Sequence, residues 1–274
     1  MIACETCDAS VLDALRAQGL DSVQGAFAWQ GGSDLNKPLL GHRRRTRLEL
    51  ACGDERLVTL YLKRYGPESL WHAAKRVLRG RPCAGMSEAA NIAAARSASV
   101  PTMQALAWGQ EKGLLPRRSY IVVTAVPGDA MERCFDDFLA RSSPEMIEAV
   151  TVELASVVGR LHGAGYVHRD LYAAHVFLHE GDGGCDLYLI DLARMFRPAS
   201  WRMRRWIVKD LGQLKYSMPP AWAGRWWPVF MEHYALGRSA AERAALDAAV
   251  EAKAAGIARQ QQRRHERKAR QKNA

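Results

Sequence analysis

Tyr166-Val-His-Arg-Asp-Leu-Tyr-Ala-Ala-His175, followed by the strand-like Leu187-Tyr-Leu-Ile-Asp191, decides how the rest of the chain is read. The first stretch follows Gly163-Ala-Gly165, the expected end of a long helix over 145–162 whose Met146, Ala149, Val150, Leu154, Val157, Val158 and Leu161 draw one apolar stripe. Val176-Phe-Leu178 and the segment 186–190 read as short strands about a Gly181-Asp-Gly-Gly184 turn. Asp170 therefore falls on a loop, and Asp191 at the end of an apolar strand.

Phosphoryl transfer needs one carboxylate at the attacking hydroxyl, one at the metal and positive charge on the phosphates. The quoted segment has the layout of a kinase catalytic loop and its metal-binding aspartate. Asp170 is the candidate general base, able to take the hydroxyl proton and orient the nucleophile; the plain alternative is a loop aspartate paired with Arg169. Asp191 would hold Mg²⁺ through hard oxygens, or merely cap a strand. Leu192-Ala193 follows it where Phe-Gly is usual, so a glycine-dependent flip of that loop is not expected. His175 stands where protein kinases carry a metal-binding asparagine; it is read either as a metal ligand or as a group positioning Asp170 or a phosphate.

Outward from the loop, Arg45-Thr-Arg-Leu-Glu-Leu50 and Leu57-Val-Thr-Leu-Tyr-Leu62 alternate about a Cys52-Gly-Asp-Glu55 turn, which predicts a hairpin delivering Lys63 at its end. Helices are predicted over 67–79 and 86–97, with a short one over 10–18 in the mildly acidic prefix. Lys63 would bridge nucleotide phosphates, although a lysine at a strand end is usually just solvated. Between Lys63 and Val100 the only acids are Glu68, too close to fold back, and Glu88. Lys63–Glu88 is the expected pair. Ser119-Tyr-Ile-Val-Val-Thr-Ala-Val126 is a nearly continuous apolar strand whose Pro127-Gly128 stop makes a natural hinge into a second lobe.

No GxGxxG is present; Leu39-Leu-Gly-His-Arg-Arg-Arg-Thr-Arg47 would cover phosphates with arginine and backbone N–H groups, or be a basic strand edge. Arg202, Arg204, Arg205 and Lys209, set among Trp201 and Trp206, would bind an anionic substrate, nucleic acid or a lipid interface, or belong to a helix packing its tryptophans inward. Asp210 is placed to brace the catalytic loop.

The 274 residues suffice for two lobes, and 48% hydrophobic with 25% charged residues is globular. The net charge of +10 points to anionic partners. Much of it lies in the tail from Arg259 to Lys272, where seven Lys/Arg face one acid, Glu266. That tail reads as a solvated helix or as an electrostatic contact to anionic lipid. Six scattered cysteines do not make a disulfide framework; the Cys4-Glu-Thr-Cys7 pair lacks the further ligands of a zinc site. No secretory signal and no transmembrane stretch is read, so a cytoplasmic protein is expected, one that would meet a membrane from its surface.

The chain resembles the lipopolysaccharide core kinase family, the Kdo/WaaP group of Kdo and heptose kinases. The resemblance is carried by Leu60-Tyr-Leu-Lys-Arg-Tyr65, Glu88-Ala-Ala-Asn91, Val100-Pro-Thr102 and His168-Arg-Asp-Leu-Tyr-Ala-Ala-His175, and continues in Leu189-Ile-Asp-Leu-Ala-Arg194 and Arg205-Trp-Ile-Val-Lys-Asp-Leu211. It implies an α+β, two-lobed protein-kinase-like fold with a small β-rich N-lobe and a larger, mainly helical C-lobe. The corresponding boundaries are an extension over 1–35, lobes over 36–126 and 127–258, and a tail over 259–274. It further implies ATP and Mg²⁺ as cofactors and an anionic glycolipid, a lipopolysaccharide core precursor, as acceptor at the inner face of the cytoplasmic membrane. By motif position, His168, Arg169, Asp170 and His175 form the catalytic loop, Asp191 and His175 hold metal, and Lys63, Glu88, Ala125 and Val126 hold nucleotide. The absence of Ala-Pro-Glu after Asp191 argues against peptide substrates. A kinase-like regulatory module without turnover and a protein kinase are the alternatives. A nucleic-acid partner is not expected, and the charge is a poor match to an aminoglycoside-type phosphotransferase.

Overall fold

The computed structural model describes residues 9–35, 42–52 and 56–272. They form two compact units: the chain up to Arg96 with Thr102–Val126, and Ser97–Pro101 with everything from Pro127 onward. The Cys4/Cys7 pair, the Gly53-Asp-Glu55 part of the hairpin turn and the first residues of the Leu39–Arg47 stretch lie outside the described residues.

The first unit opens with α1 (Ala9–Ala17) and α2 (Val23–Ala28), the latter capped by the Ser22 hydroxyl. Strands β1 (Ser33–Asp34), β2 (Arg43–Cys52) and β3 (Arg56–Tyr65) follow, then α3 (Leu70–Leu78) and α4 (Ala84–Ser97). β4 (Ala105–Gln110) and β5 (Ser119–Thr124) complete an antiparallel sheet of order β1-β2-β3-β5-β4. The predicted hairpin is present and longer than its alternating core, with Leu48 opposite Leu60 and Arg45 opposite Lys63. Lys63 thus lies inside β3 rather than at its end.

Because strand side chains alternate, β3 serves two faces. Leu60, Leu62 and Arg64 share one face. There the leucines join Val11, Leu15, Leu20 and Ala26 of the N-terminal segment in one core, with Leu48 and Leu50 of β2. Arg64 bonds the Trp29 carbonyl (3.1 Å) and the Thr46 hydroxyl (2.7 Å). Residues 9–35, read from sequence as part of an extension over 1–35, thus contribute side chains to the sheet's core. Lys63 and Tyr65 point to the other face, which α4 covers. There Gly85 lies against β5 so closely that a Cβ would meet the Tyr120 carbonyl oxygen at 2.5 Å. β4 had no reading in the sequence: its Ala-Leu-Ala-Trp-Gly-Gln run has weak strand preference, and its pairing with β5 is irregular between Ala105 and Ala107.

The second unit begins with β6 (Asp129–Ala130), α5 (Met131–Arg141) and α6 (Pro144–Gly163). Ser143 caps α6, with Pro144 in the first turn. Its buried face contains Val150, Leu154, Val157, Val158 and Leu161, all from the predicted stripe; Met146 and Ala149 are not buried. β7 (Val176–Gly181) and β8 (Gly184–Leu189) form a hairpin with β6 on its edge. α7 (Ser200–Ser217), α8 (Pro220–Arg225), α9 (Trp227–Tyr234) and α10 (Ala240–Lys272) follow. An aromatic group centred on Trp222, Trp227 and Phe230 packs at their junction, and the Trp222 indole donates to Thr151 of α6 (2.9 Å). α10 buries Leu246, Val250, Ala254 and Ile257, three or four residues apart, and then continues through the basic tail as an exposed helix.

Candidate active site

The loop after α6 is shaped by one buried carboxylate. Asp210 of α7 is fully buried and accepts the backbone N–H of His168 at 2.6 Å and of Arg169 at 2.9 Å. Arg169 has a φ of +74°, a conformation that disfavours side chains with a Cβ. The two charge-assisted bonds hold it there. The Arg169 guanidinium lies over the rings of Phe196 (5.4 Å) and Trp206 (5.5 Å), and the Lys209 ammonium donates to the Arg169 carbonyl. Burial pushes the Lys209 pKa down, opposed by the nearby Asp210 and Asp170.

His168 is completely buried and serves the fold of the loop. Its Nε2 meets the Ile190 carbonyl at 2.9 Å; a carbonyl only accepts, so Nε2 carries the proton. Its Nδ1 has no hydrogen-bond partner among the described residues. Burial lowers the His168 pKa, with Asp210 pulling the other way. An imidazole kept neutral when folded takes up a proton more readily when unfolded, so the unfolded state binds more protons below about pH 6.5. The stabilisation is therefore complete above that value and is lost as the pH falls below it. Urea denaturation of the wild type should show stability declining as the pH falls below about 6.5. In His168→Phe the decline should be shallower; an identical slope would mean that other groups carry it.

Asp170 follows with its side chain 23% exposed, and Nη1 of Arg194 donates to both its oxygens, at 2.9 and 2.8 Å. His175 places Nδ1 2.6 Å from the Asp170 carbonyl, so Nδ1 carries the proton. In the neutral ring Nε2 then presents a lone pair, 3.9 Å from Oδ2 of Asp191. Asp191 itself is left-handed (φ 58°, ψ 54°) at the end of the β8 chain. Asp170, His175, Asp191, Arg194 and Lys209 are thus gathered on one unit.

On the other unit, Lys63 Nζ meets Glu88 Oε1 at 2.5 Å, and the Tyr65 hydroxyl donates to Glu88 Oε2 at 2.5 Å. Glu88 is fully buried, so both carboxylate oxygens are matched where water cannot reach them. Glu68, the rejected candidate, pairs with Arg76 at 3.1 Å. Ala125 donates its N–H to the Thr59 carbonyl (3.1 Å), and Ala125 and Val126 are both half-buried. Tyr65, Arg194 and Phe196 had no role in the sequence reading, and Trp206 was read only as part of the Arg/Trp run of α7. Tyr65 was detectable, being two residues from Lys63 and so on its face of β3. Arg194 and Phe196 gave no local signal, and nothing local pairs Trp206 with Arg169.

The α+β fold and this loop define a protein-kinase-like architecture. The Lipopolysaccharide kinase (Kdo/WaaP) family profile matches residues 40–234, and the chain belongs to that family. It is similar to the lipopolysaccharide core heptose(I) kinase WaaP of Pseudomonas aeruginosa, 38% identical over 129 residues, 44% of this chain and 47% of the relative. The protein of the same name from Escherichia coli K12 is 28% identical over 169 residues, 59% of this chain and 56% of the relative. The chain spans about half the length of the curated relatives it matches. A solved structure, WaaP in complex with acyl carrier protein, shares the fold with a TM-score of 0.60 at 24% identity, covering 89% of this chain and 95% of the other.

Proposed function

We propose that the chain transfers the γ-phosphoryl group of ATP to a sugar hydroxyl of a lipopolysaccharide inner-core glycolipid, with Asp170 as general base. One observation carries this reading. Two consecutive N–H groups are anchored on buried Asp210, and the very next side chain offers a partly exposed carboxylate. A base held this way keeps its orientation when the acceptor hydroxyl arrives and takes its proton as the new oxygen–phosphorus bond forms. Arg194 balances the charge of Asp170 until then, and the hydroxyl takes over part of that contact. The names of the relatives favour heptose over Kdo as the sugar.

Among the described residues no three His, Cys, Asp or Glu side chains gather as a metal cluster. Mg²⁺ commonly takes one or two protein ligands and completes its shell with phosphates and water. The Asp191 carboxylate, with Nε2 of His175 3.9 Å from its Oδ2, fits that use. Bound there, the ion would neutralise phosphate charge. Lys63, oriented by Glu88, would add a point charge on the nucleotide, and Ala125 and Val126 would border the purine. A depression of about 690 Å³ lined by Arg204, Arg205, Lys209 and Lys253, with Trp201 and Trp206 and no acid, supports an anionic acceptor. Lys209 links that depression to the catalytic loop through the Arg169 carbonyl.

No helix among the described residues is long and apolar enough to cross a membrane, and the proposed place of action is the cytoplasmic surface of the membrane that holds the acceptor. Acyl carrier protein, present with the solved WaaP, is a candidate partner here; a pull-down with purified acyl carrier protein tests it.

The purified chain with Mg²⁺ and ATP should add phosphate to inner-core glycolipid, read by mass spectrometry. ATP binding without phosphate on lipid, sugar or protein would instead support a binding module. Lys63→Met should lower the rate about 10²–10³-fold, the usual cost of one charge-stabilising group. A rate within threefold (about 0.6 kcal/mol) of wild type would remove Lys63 from the phosphates.

A further inference from the structure

Helix α3 carries an apolar stripe on its outer side. At 3.6 residues per turn, Val77, Leu70, Ala74, Leu78 and Trp71 follow one another around about 120° of the helix. Leu70 is 61% exposed, Trp71 71% and Leu78 89%. The sole fully buried residue of the helix is Ala73. This orientation is built in. Ser69 caps the helix start, and Arg76 on the inner side reaches Glu68 and the Pro116 carbonyl. The segment before Arg118 is tied to the same place, Arg117 Nε bonding the Glu68 carbonyl at 2.6 Å, and it exposes Leu114.

The polar side of α3 is basic. Lys75 and Arg79 border the stripe, and Arg81 follows just beyond the helix. A depression of about 350 Å³ opens there, lined among others by His72, Lys75, Arg76, Arg79 and Arg81; its single acid, Glu68, is already paired with Arg76. Leucine and tryptophan on one side with lysine and arginine along the other is the pattern of a helix lying in a lipid–water interface. The long basic side chains can reach headgroups while their stems follow the apolar edge.

We infer that α3 docks the protein on an anionic phospholipid surface, with Leu70, Trp71 and Leu78 entering the acyl boundary and a headgroup phosphate seated among Lys75, Arg79 and Arg81. A bilayer suits this face better than a folded partner. The apolar side chains protrude one by one from a convex helix, and the cation-lined depression sits at the stripe's edge, at headgroup level. The helix is already formed and held, so binding costs no folding. The inference deepens the proposed function, because an enzyme acting on a membrane glycolipid gains from being held at that surface.

The test uses the full chain with vesicles of phosphatidylcholine alone and of phosphatidylcholine with about one-third phosphatidylglycerol. Wild type should sediment with the anionic vesicles, less so in high salt, and weakly with the neutral ones. Trp71→Ala with Leu78→Ser, and separately Lys75→Gln with Arg79→Gln, should each weaken sedimentation about tenfold or more. Phosphate transfer to a water-soluble, deacylated core acceptor should stay at the wild-type rate in both, so failure of docking is separable from failure of the kinase reading. Unchanged sedimentation in both pairs would overturn the inference, as would loss only on removing residues 259–274. A stripe that keeps vesicle binding but proves necessary for self-association or for an acidic protein would overturn it in favour of those partners.

Discussion

Asp170→Asn should lower the turnover of phosphate transfer about 10²–10⁴-fold, the range associated with a positioned general base. Asparagine keeps the shape and retains one oxygen for Arg194, but it cannot accept the hydroxyl proton. The bracing bonds from Asp210 reach the backbone of His168 and Arg169 and do not involve the Asp170 side chain. The fold should therefore survive, with an unchanged circular dichroism spectrum and a thermal midpoint close to wild type. Nucleotide affinity, measured by equilibrium binding, should also be preserved. Wild-type turnover in this variant would reduce Asp170 to a loop aspartate serving Arg194, and the chain to a binding module.

Asp210→Ala should produce the largest loss of stability. Its carboxylate satisfies two backbone N–H groups in a site without solvent, and its Oδ2 also lies 3.4 Å from Nε2 of His162. Alanine leaves both donors unpaired, and hydrogen bonds to a buried charge are worth about 1.5–3 kcal/mol each. A loss of about 3–5 kcal/mol follows, on the order of 10 °C in the thermal midpoint. Asp210→Asn, which restores an acceptor without the charge, should recover part of it. Arg169 loses what holds its positive φ, so catalysis should fall even at temperatures where the chain remains folded. A loss below about 1 kcal/mol would mean that the aromatic seat of Arg169 and the Lys209 contact hold the loop by themselves.

Much of this was legible because it is local. The α6 stripe, the β2–β3 alternation and the β7–β8 turn are short-range patterns with periods of 3.6 and 2, and each element appears within a few residues of its expected span. Lys63 and Glu88 meet across 25 residues, and here elimination helped: with two acids in the interval and one too near, one partner remained. β4 was not legible, since alanine and glycine make a strand only when a neighbour such as β5 supplies the pairing. The role of residues 9–35 was hidden for a similar reason. Their apolar residues become a core only against the face of β2 and β3 that they cover.

The sequence by itself determined the layout of the His168–His175 loop, the carboxylate at the strand end, the α+β order of elements and the family to which they point. These follow from residue types at short spacings. Tertiary structure decided which groups constrain them. Arg194 holds both oxygens of Asp170 from 24 residues away, Asp210 sets the backbone of the loop from 41 and 42, and Trp206 lies under Arg169. It also decided that α3 turns its apolar stripe outward. Periodicity tells which residues share a face of a helix; whether that face meets the core or the surroundings depends on anchors such as Arg76 on Glu68 and Pro116, which exist only once the chain has folded.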